Sequence, residues 1–257
     1  MRGKKISAAA GVLAVVAMAL PVWADWDEGD PYKWAQLPDL TPTGIDIDTD
    51  GCSIISDDFL CTSTDKITDV HFWGSWLLDQ KTQITNIRLR ILPDVPVGPG
   101  NLYSHPGSPA LWTGNFPAGQ FTERLVATVD PNEKFWKPNS GPQPQSWDTK
   151  VYQYNILINP LDAFRQEGTP QNPVTYWLEI LAAIQEPGDF GWKTSKTHWN
   201  DDAVYFDLTE LKYMELRYPT GHPYQGQSID MAFVITPEPA TMVLLGIGAA
   251  ALLRRRR

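Results

Sequence analysis

Cysteine is almost absent: Cys52 and Cys61 are the only two among 257 residues. Two thiols exclude a disulfide-dense scaffold and a four-cysteine zinc site. Histidine is nearly as scarce, with His71, His105, His198 and His222 scattered and showing neither H-E-x-x-H nor other paired metal-ligand spacing. No G-x-S-x-G elbow occurs, and the two cysteines suit a disulfide better than a nucleophile, so the common serine and thiol hydrolase signatures are missing. No stretch sustains a helical apolar period between credible caps. Long apolar runs are lacking too: residues 8–20 and 240–253 form runs of 13 and 14 residues. Both fall short of the ~20 that a transmembrane helix needs.

What surrounds those two short runs gives them meaning. The first follows Arg2, Lys4 and Lys5 and is closed by Pro21 and Val22-Trp23-Ala24. A basic n-region, an apolar h-region and a small-residue site, in that order, read as a secretory signal helix over residues 1–24, cut before Asp25. Export places Cys52 and Cys61 in an oxidising compartment. The expectation is a Cys52–Cys61 disulfide closing a short loop, worth about 2–3 kcal/mol.

The second run lies between Pro237-Glu238-Pro239 and the four residues Arg254, Arg255, Arg256 and Arg257. Those arginines resist crossing a bilayer, and the positive-inside rule keeps them cytoplasmic with the body outside. A short hydrophobic helix here spans only if arginine stems snorkel or the bilayer thins, which suits a transient anchor. Proline fixes φ and restrains the residue before it, so Pro-Glu-Pro presents an extended segment to a protease. This three-part tail, residues 237–257, resembles the PEP-CTERM sorting signal. The resemblance implies a chain that the export machinery delivers and the inner membrane holds transiently. An exosortase, a membrane cysteine protease, would then cut at Pro-Glu-Pro and release the remainder to the cell surface or extracellular matrix.

Between the two signals, residues 25–236 carry 14 basic against 29 acidic side chains. Such a balance excludes nucleic acid as a natural partner and favours solubility, divalent cations or a hydrated exterior. Alternation is the dominant pattern. Ile87, Leu89 and Ile91 alternate with Arg88 and Arg90; Tyr152, Tyr154, Ile156 and Ile158 share a face, as do Tyr176, Leu178, Ile180 and Ala182, and Ile229, Met231, Phe233 and Ile235. Residues 54–60, 67–76, 123–129 and 203–207 are further candidate strands, and proline- and glycine-rich turns separate them. The pattern predicts an all-β body of eight to ten short strands, an antiparallel, jelly-roll-like β-sandwich forming one domain over residues 25–236. The stretches Lys33-Trp34-Ala35-Gln36-Leu37-Pro38, Ser56-Asp57-Asp58-Phe59-Leu60-Cys61 and residues 67–76 resemble an uncharacterised domain of other exported PEP-CTERM proteins. The likeness continues through Tyr176-Trp177-Leu178 and Phe190-Gly191-Trp192-Lys193-Thr194-Ser195 and implies no activity.

Three constellations could carry chemistry. Asp46-Ile47-Asp48-Thr49-Asp50-Gly51, with Asp57 at the twelfth position, sets alternate oxygens before a glycine turn, as a calcium loop requires. Asp57 replaces the usual bidentate glutamate, however, and the prolines upstream oppose an entering helix. The bland reading is a solvated acidic turn. Ten tryptophans lie in the body, and Trp112, Trp136, Trp147, Trp192 and Trp199 are candidates for stacking on sugar faces; core packing is the ordinary role of such rings, and Trp73 and Trp177 are assigned to it. His198 with Asp201 and Asp202 could form a polar site on one loop or simply a hydrated turn. The leading expectation is a non-enzymatic surface or matrix protein, sorted by exosortase and binding exopolysaccharide. The alternatives are a secreted carbohydrate-active hydrolase, which needs only two well-spaced carboxylates, and a calcium-stiffened coat protein.

Overall fold

The computed structural model describes residues 25–50, 53–140 and 146–236. The signal segment 1–24, Cys52 and the tail 237–257, with the helices expected in the two signals, lie outside the described residues. Fourteen strands are formed among the described residues. They are β1 (Trp34–Gln36), β2 (Ile45–Asp48), β3 (Ile55–Cys61), β4 (Asp69–Trp76), β5 (Ile84–Val95), β6 (His105–Pro106) and β7 (Trp112–Pro117). Then follow β8 (Thr122–Trp136), β9 (Trp147–Leu157), β10 (Val174–Ile184), β11 (Phe190–Lys193), β12 (Val204–Asp207), β13 (Lys212–Glu215) and β14 (Phe233–Ile235).

They build two sheets. The first has the order β1-β14-β4-β11-β2-β8-β9, and the second the order β13-β12-β3-β10-β5-β6, with β7 also on β5. Period-two alternation fixes what lies between them. Ile45 and Ile47, Phe72 and Trp76, Tyr154 and Ile156, Phe190 and Trp192, and Phe233 and Ile235 point from the first sheet to the shared core. Ile55 and Phe59, Tyr176, Leu178 and Ile180, and Ile87, Leu89 and Ile91 meet them from the second. Each such side chain contributes about 1.5–3 kcal/mol by leaving water. Aromatic pairs add shape: Phe72 stacks on Tyr154 with centroids 5.1 Å apart, and Tyr154 meets Phe190 edge-on at 5.2 Å.

The first sheet also closes on itself. β4 pairs with β9 as well as with β11, β11 with β2, β2 with β8, and β8 with β9. A register shift between Thr128 and Glu133 makes this possible, since the distal half of β8 leaves its first course there and reaches β2. The β2–β8 pair runs parallel, Ile45 opposite Lys134 and Ile47 opposite Trp136, which corrects the wholly antiparallel expectation. The alternate residues of the same strands, Asp46, Trp73, Ser75, Val151, Gly191 and Lys193, therefore face away from the sandwich core into this ring of strands. Trp26 packs edge-on against Trp73 at 6.1 Å and belongs with Val129, Val151, Ala232 and Val234 to a second apolar cluster on that side.

The expected Cys52–Cys61 disulfide falls on Cys52, which lies outside the described residues. Cys61 is a free, buried thiol whose Sγ donates to the Ser63 carbonyl at 3.0 Å.

Candidate functional site

A concave feature walled by one of the candidate stacking tryptophans lies on β7. A groove of about 410 Å³ is lined by Trp112, Gly114, Asn115, Phe116 and Gln120 on one side and by Leu157, Asn159 and Asp162 on the other. Trp112 is half-buried, and its Nε1 donates to the Asp162 carbonyl at 2.6 Å, which fixes the ring. Glycine at 114 is required by that pose: a Cβ there would lie 2.4 Å from the Trp112 ring and 2.7 Å from Phe116. Asn115, Gln120, Asn159 and Asp162 are exposed around the groove. A fixed indole beside amide and carboxylate side chains can stack on an apolar sugar face while exchanging hydrogen bonds with hydroxyls.

The other candidate tryptophans are dispersed. Trp192 is fully buried, with Nε1 donating to Ala232 O at 2.8 Å, so it offers no face to a ligand; its place on β11 opposite the aromatic core is the reason. Trp136 packs partly buried against the main core, Trp147 is 38% exposed on β9, and Trp199 stands edge-on to Trp34 at 4.9 Å. Trp73 and Trp177 are buried as expected, although Trp177 lies on the outer side of the second sheet in a small cluster with Leu92 and Val204.

The four aspartates expected to form one calcium loop are divided. Asp46 lies on β2 inside the ring of strands, whereas Asp57 lies on β3 and faces the inter-sheet space. Asp48 and Asp50 stay together and are joined by Asp189, one carboxylate oxygen of each lying within 4.8 Å of the others. Lys137 contacts Asp189, and the Phe190 amide donates to Asp50 Oδ2 at 3.2 Å. Burial, reinforced by Asp50, pushes the Asp48 carboxyl up to about 8. The extended backbone explains the split: β2 spaces Asp46 from Asp48 along a strand that cannot curl around an ion as a loop does, and Asp57 belongs to β3 in the other sheet.

Asp57 anchors a different network. Gln36 Nε2 donates to Asp57 Oδ2 and to Asp230 Oδ2, both at 3.1 Å, while the Met231 amide donates to Asp57 at 2.7 Å. The Trp199 amide donates to Asp230 at 2.7 Å, and His198 Nδ1 lies 3.4 Å from its other oxygen. Beside them Asn200 Nδ2 donates to Asp58 at 2.5 Å, and Ser104 bonds Asp201 at 2.5 Å. Asp202 turns away, pairing with Arg217 at 2.6 Å. The loop around His198 is thus a hydrogen-bonded clamp between the sheets. Burial raises Asp57 well above the usual carboxylate range, Asp58 to about 8 and Asp230 to about 6.

Inside the ring lies a cluster that the sequence reading did not single out. Lys193 contacts Glu133 and sits 3.2 Å from Asp46 Oδ2, with no side-chain exposure on any of the three. Asp148, directly across from Glu133 in the β8–β9 register, is fully buried as well. Beyond the lysine the carboxyls lean on one another and on Ser75: Asp148 shares a hydrogen bond with Glu133, and the Ser75 hydroxyl bonds Asp46. Burial, with Asp46 nearby, pushes Glu133 up to about 8, and burial raises Asp148 well above its ordinary range. Burial alone would lower Lys193, but the three carboxyls outweigh it and hold the ammonium above the usual lysine range. The available signal was the alternation Phe190-Gly191-Trp192-Lys193, which forces a lysine to the opposite side from two aromatic core residues. Glu133 and Asp148 carried no such signal because their partners lie far away in sequence.

Residues 32–236 match the family described as Domain of unknown function (DUF7901). Residues 236–257 match the PEP-CTERM protein-sorting motif. No curated protein and no solved structure matches the chain.

Proposed function

The chain belongs to the DUF7901 family and ends in an exosortase-processed sorting motif, and from that premise we propose that its exported body is a non-enzymatic polysaccharide-binding protein of the cell surface or extracellular matrix. The observation that carries this reading is the Trp112 groove, where a pinned indole is bordered by Asn115, Gln120, Asn159 and Asp162. The groove is open to solvent, which suits a segment of a long chain. Excess acid on the body keeps it soluble in a hydrated matrix and turns selection toward neutral or cationic sugars. The closely spaced carboxyls, by contrast, are held by protein donors or packed inside the ring, so the hydrolase alternative finds no support in an acid-base pair at the groove.

The test is affinity electrophoresis of the exported protein through gels containing bacterial polysaccharides. Retardation by at least one polymer, abolished in Trp112→Ala and unaffected in Trp147→Ala, is the expected result. Equal mobility of wild type and Trp112→Ala in every gel would overturn the assignment, and reducing-sugar release would favour the hydrolase. A calcium-stiffened role has one supporting feature, the oxygen set of Asp48, Asp50 and Asp189. It requires a melting temperature that rises with calcium and stops doing so in Asp189→Asn.

A further inference from the structure

The ring of strands encloses a lysine with more carboxyls than a salt bridge can use. Lys193 comes from β11, and Asp46 faces it as its register partner on β2. Glu133 reaches it from β8, and Asp148 backs Glu133 from β9. No side chain in this group is open to water, and the backbone at Gly44 closes over it so tightly that a Cβ there would lie 2.7 Å from Lys193 Nζ and 3.0 Å from Glu133 Oε2. A simple ion pair would leave two further carboxyls buried without compensation, which is a costly arrangement. The carboxyls of Asp46, Glu133 and Asp148, with one oxygen of each within 4.8 Å of the others, surround the lysine with groups that can accept or give a proton.

We propose that this cluster makes a covalent cross-link: an isopeptide bond between Lys193 Nζ and the side-chain carboxyl of Glu133, joining β11 to β8 across the interior of the ring. The Glu133 carboxyl contacts the nucleophile directly, Asp46 lies beside the same nitrogen, and Asp148, opposite Glu133, has an oxygen within 4.8 Å of the other two carboxyls, so both can move protons. Asp46, 3.2 Å from Nζ, takes one proton from the ammonium. Asp148 gives its proton to the Glu133 carboxylate, and the Nζ lone pair attacks Cδ of the resulting carboxylic acid. The tetrahedral intermediate loses a proton from nitrogen to Asp148, and protonated Asp46 hands its proton to the departing hydroxyl, which leaves as water. The net change is one ammonium and one carboxylate replaced by one amide and one water, with Asp46 and Asp148 restored. No oxidant, reductant or activating group is needed. Excluding water and replacing a buried ion pair by a neutral amide both favour condensation. Raised carboxyl affinities for protons at Glu133 and Asp148 supply the acid that the step consumes and regenerates.

The experiment is a tryptic peptide map of the protein as exported by the cells that make it. Trypsin cannot cleave after an acylated lysine. The cross-link therefore yields residues 166–196, uncut at Lys193, joined to residues 125–134, at the summed mass of the two peptides less one water. The intact exported protein is lighter by the same amount than the mass calculated for the processed chain. Exported Asp148→Asn, checked for native circular dichroism, is expected to give separate peptides and full mass, because the proton shuttle is gone while the shape is kept. Free residues 166–193 from the wild-type protein would overturn the proposal, whether or not any variant folds. A link from Lys193 to the peptide containing Asp46 would overturn Glu133 as acceptor, and a link persisting in Asp148→Asn would overturn the role given to Asp148.

Discussion

The two sides of the first sheet use the same strands for opposite purposes. One side carries Phe72, Tyr154, Phe190, Trp192 and Phe233 into a dry aromatic core shared with the second sheet. The other, one residue out of step, carries Asp46, Ser75 and Lys193 into a ring where β8 and β9 add Glu133 and Asp148. Both sides are equally hidden from water. The difference shows that burial does not imply an apolar side chain: where a sheet closes on itself, the face turned away from the sandwich core is interior as well, and polar residues there must satisfy one another.

The comparison can be broken from either side. The largest effect is expected from Trp192→Ala on the aromatic side. It empties the centre of the core and strands the Ala232 carbonyl, and should cost about 5 kcal/mol in urea unfolding, the upper end for a core aromatic. Lys193→Met removes both the cation that Asp46 and Glu133 face and the amide it would form, leaving those buried carboxyls without a partner, for an expected loss of about 3–4 kcal/mol. A smaller loss, about 1–2 kcal/mol, is expected for Gly114→Ala, since the Trp112 ring must move from its place over the glycine; binding to polysaccharide should fall with it. Trp112→Ala should change stability least, by about 1 kcal/mol, while removing retardation in the polysaccharide gel.

The aromatic side was legible in the sequence because alternation is local. Ile87-Leu89-Ile91, Tyr176-Leu178-Ile180 and Phe233-Ile235 each announce their strand and their face within a few residues. Short or interrupted strands were not legible. The Ile45–Asp48 strand reads as an acidic loop because its exterior-looking aspartates are interior, and β8 continues through Asp130-Pro131-Asn132, residues that ordinarily end a strand. β7 and β11 lie in segments whose glycines weaken the strand signal. Trp112 was identifiable as a binding candidate, but the amides beside it come partly from residues 157–162, and only the pairing of strands brings them near. Likewise Lys193, Asp46, Glu133 and Asp148 are separated by up to 147 residues, and the closure of the ring that assembles them is a tertiary event.

The claim common to all the polar clusters is that buried carboxyls of the folded protein hold their protons to unusually high pH. Burial pushes Asp48, Asp58 and Glu133 up to about 8 and Asp230 to about 6. The folded chain therefore binds more protons than the unfolded one between the ordinary carboxylate range and these values. Stability from these groups is fully present below about pH 4 and is lost as pH rises toward about 8. The cross-link would remove Glu133 from this set and leave the other three. The most direct measurement is the urea midpoint of the exported protein at steps from about pH 5 to about pH 8.5. A midpoint that falls steadily across that range is the expected result, with the fall reduced in Asp58→Asn. A midpoint that rises with pH would mean that these acids are ionised and stabilised by partners in the folded protein, and would contradict the account.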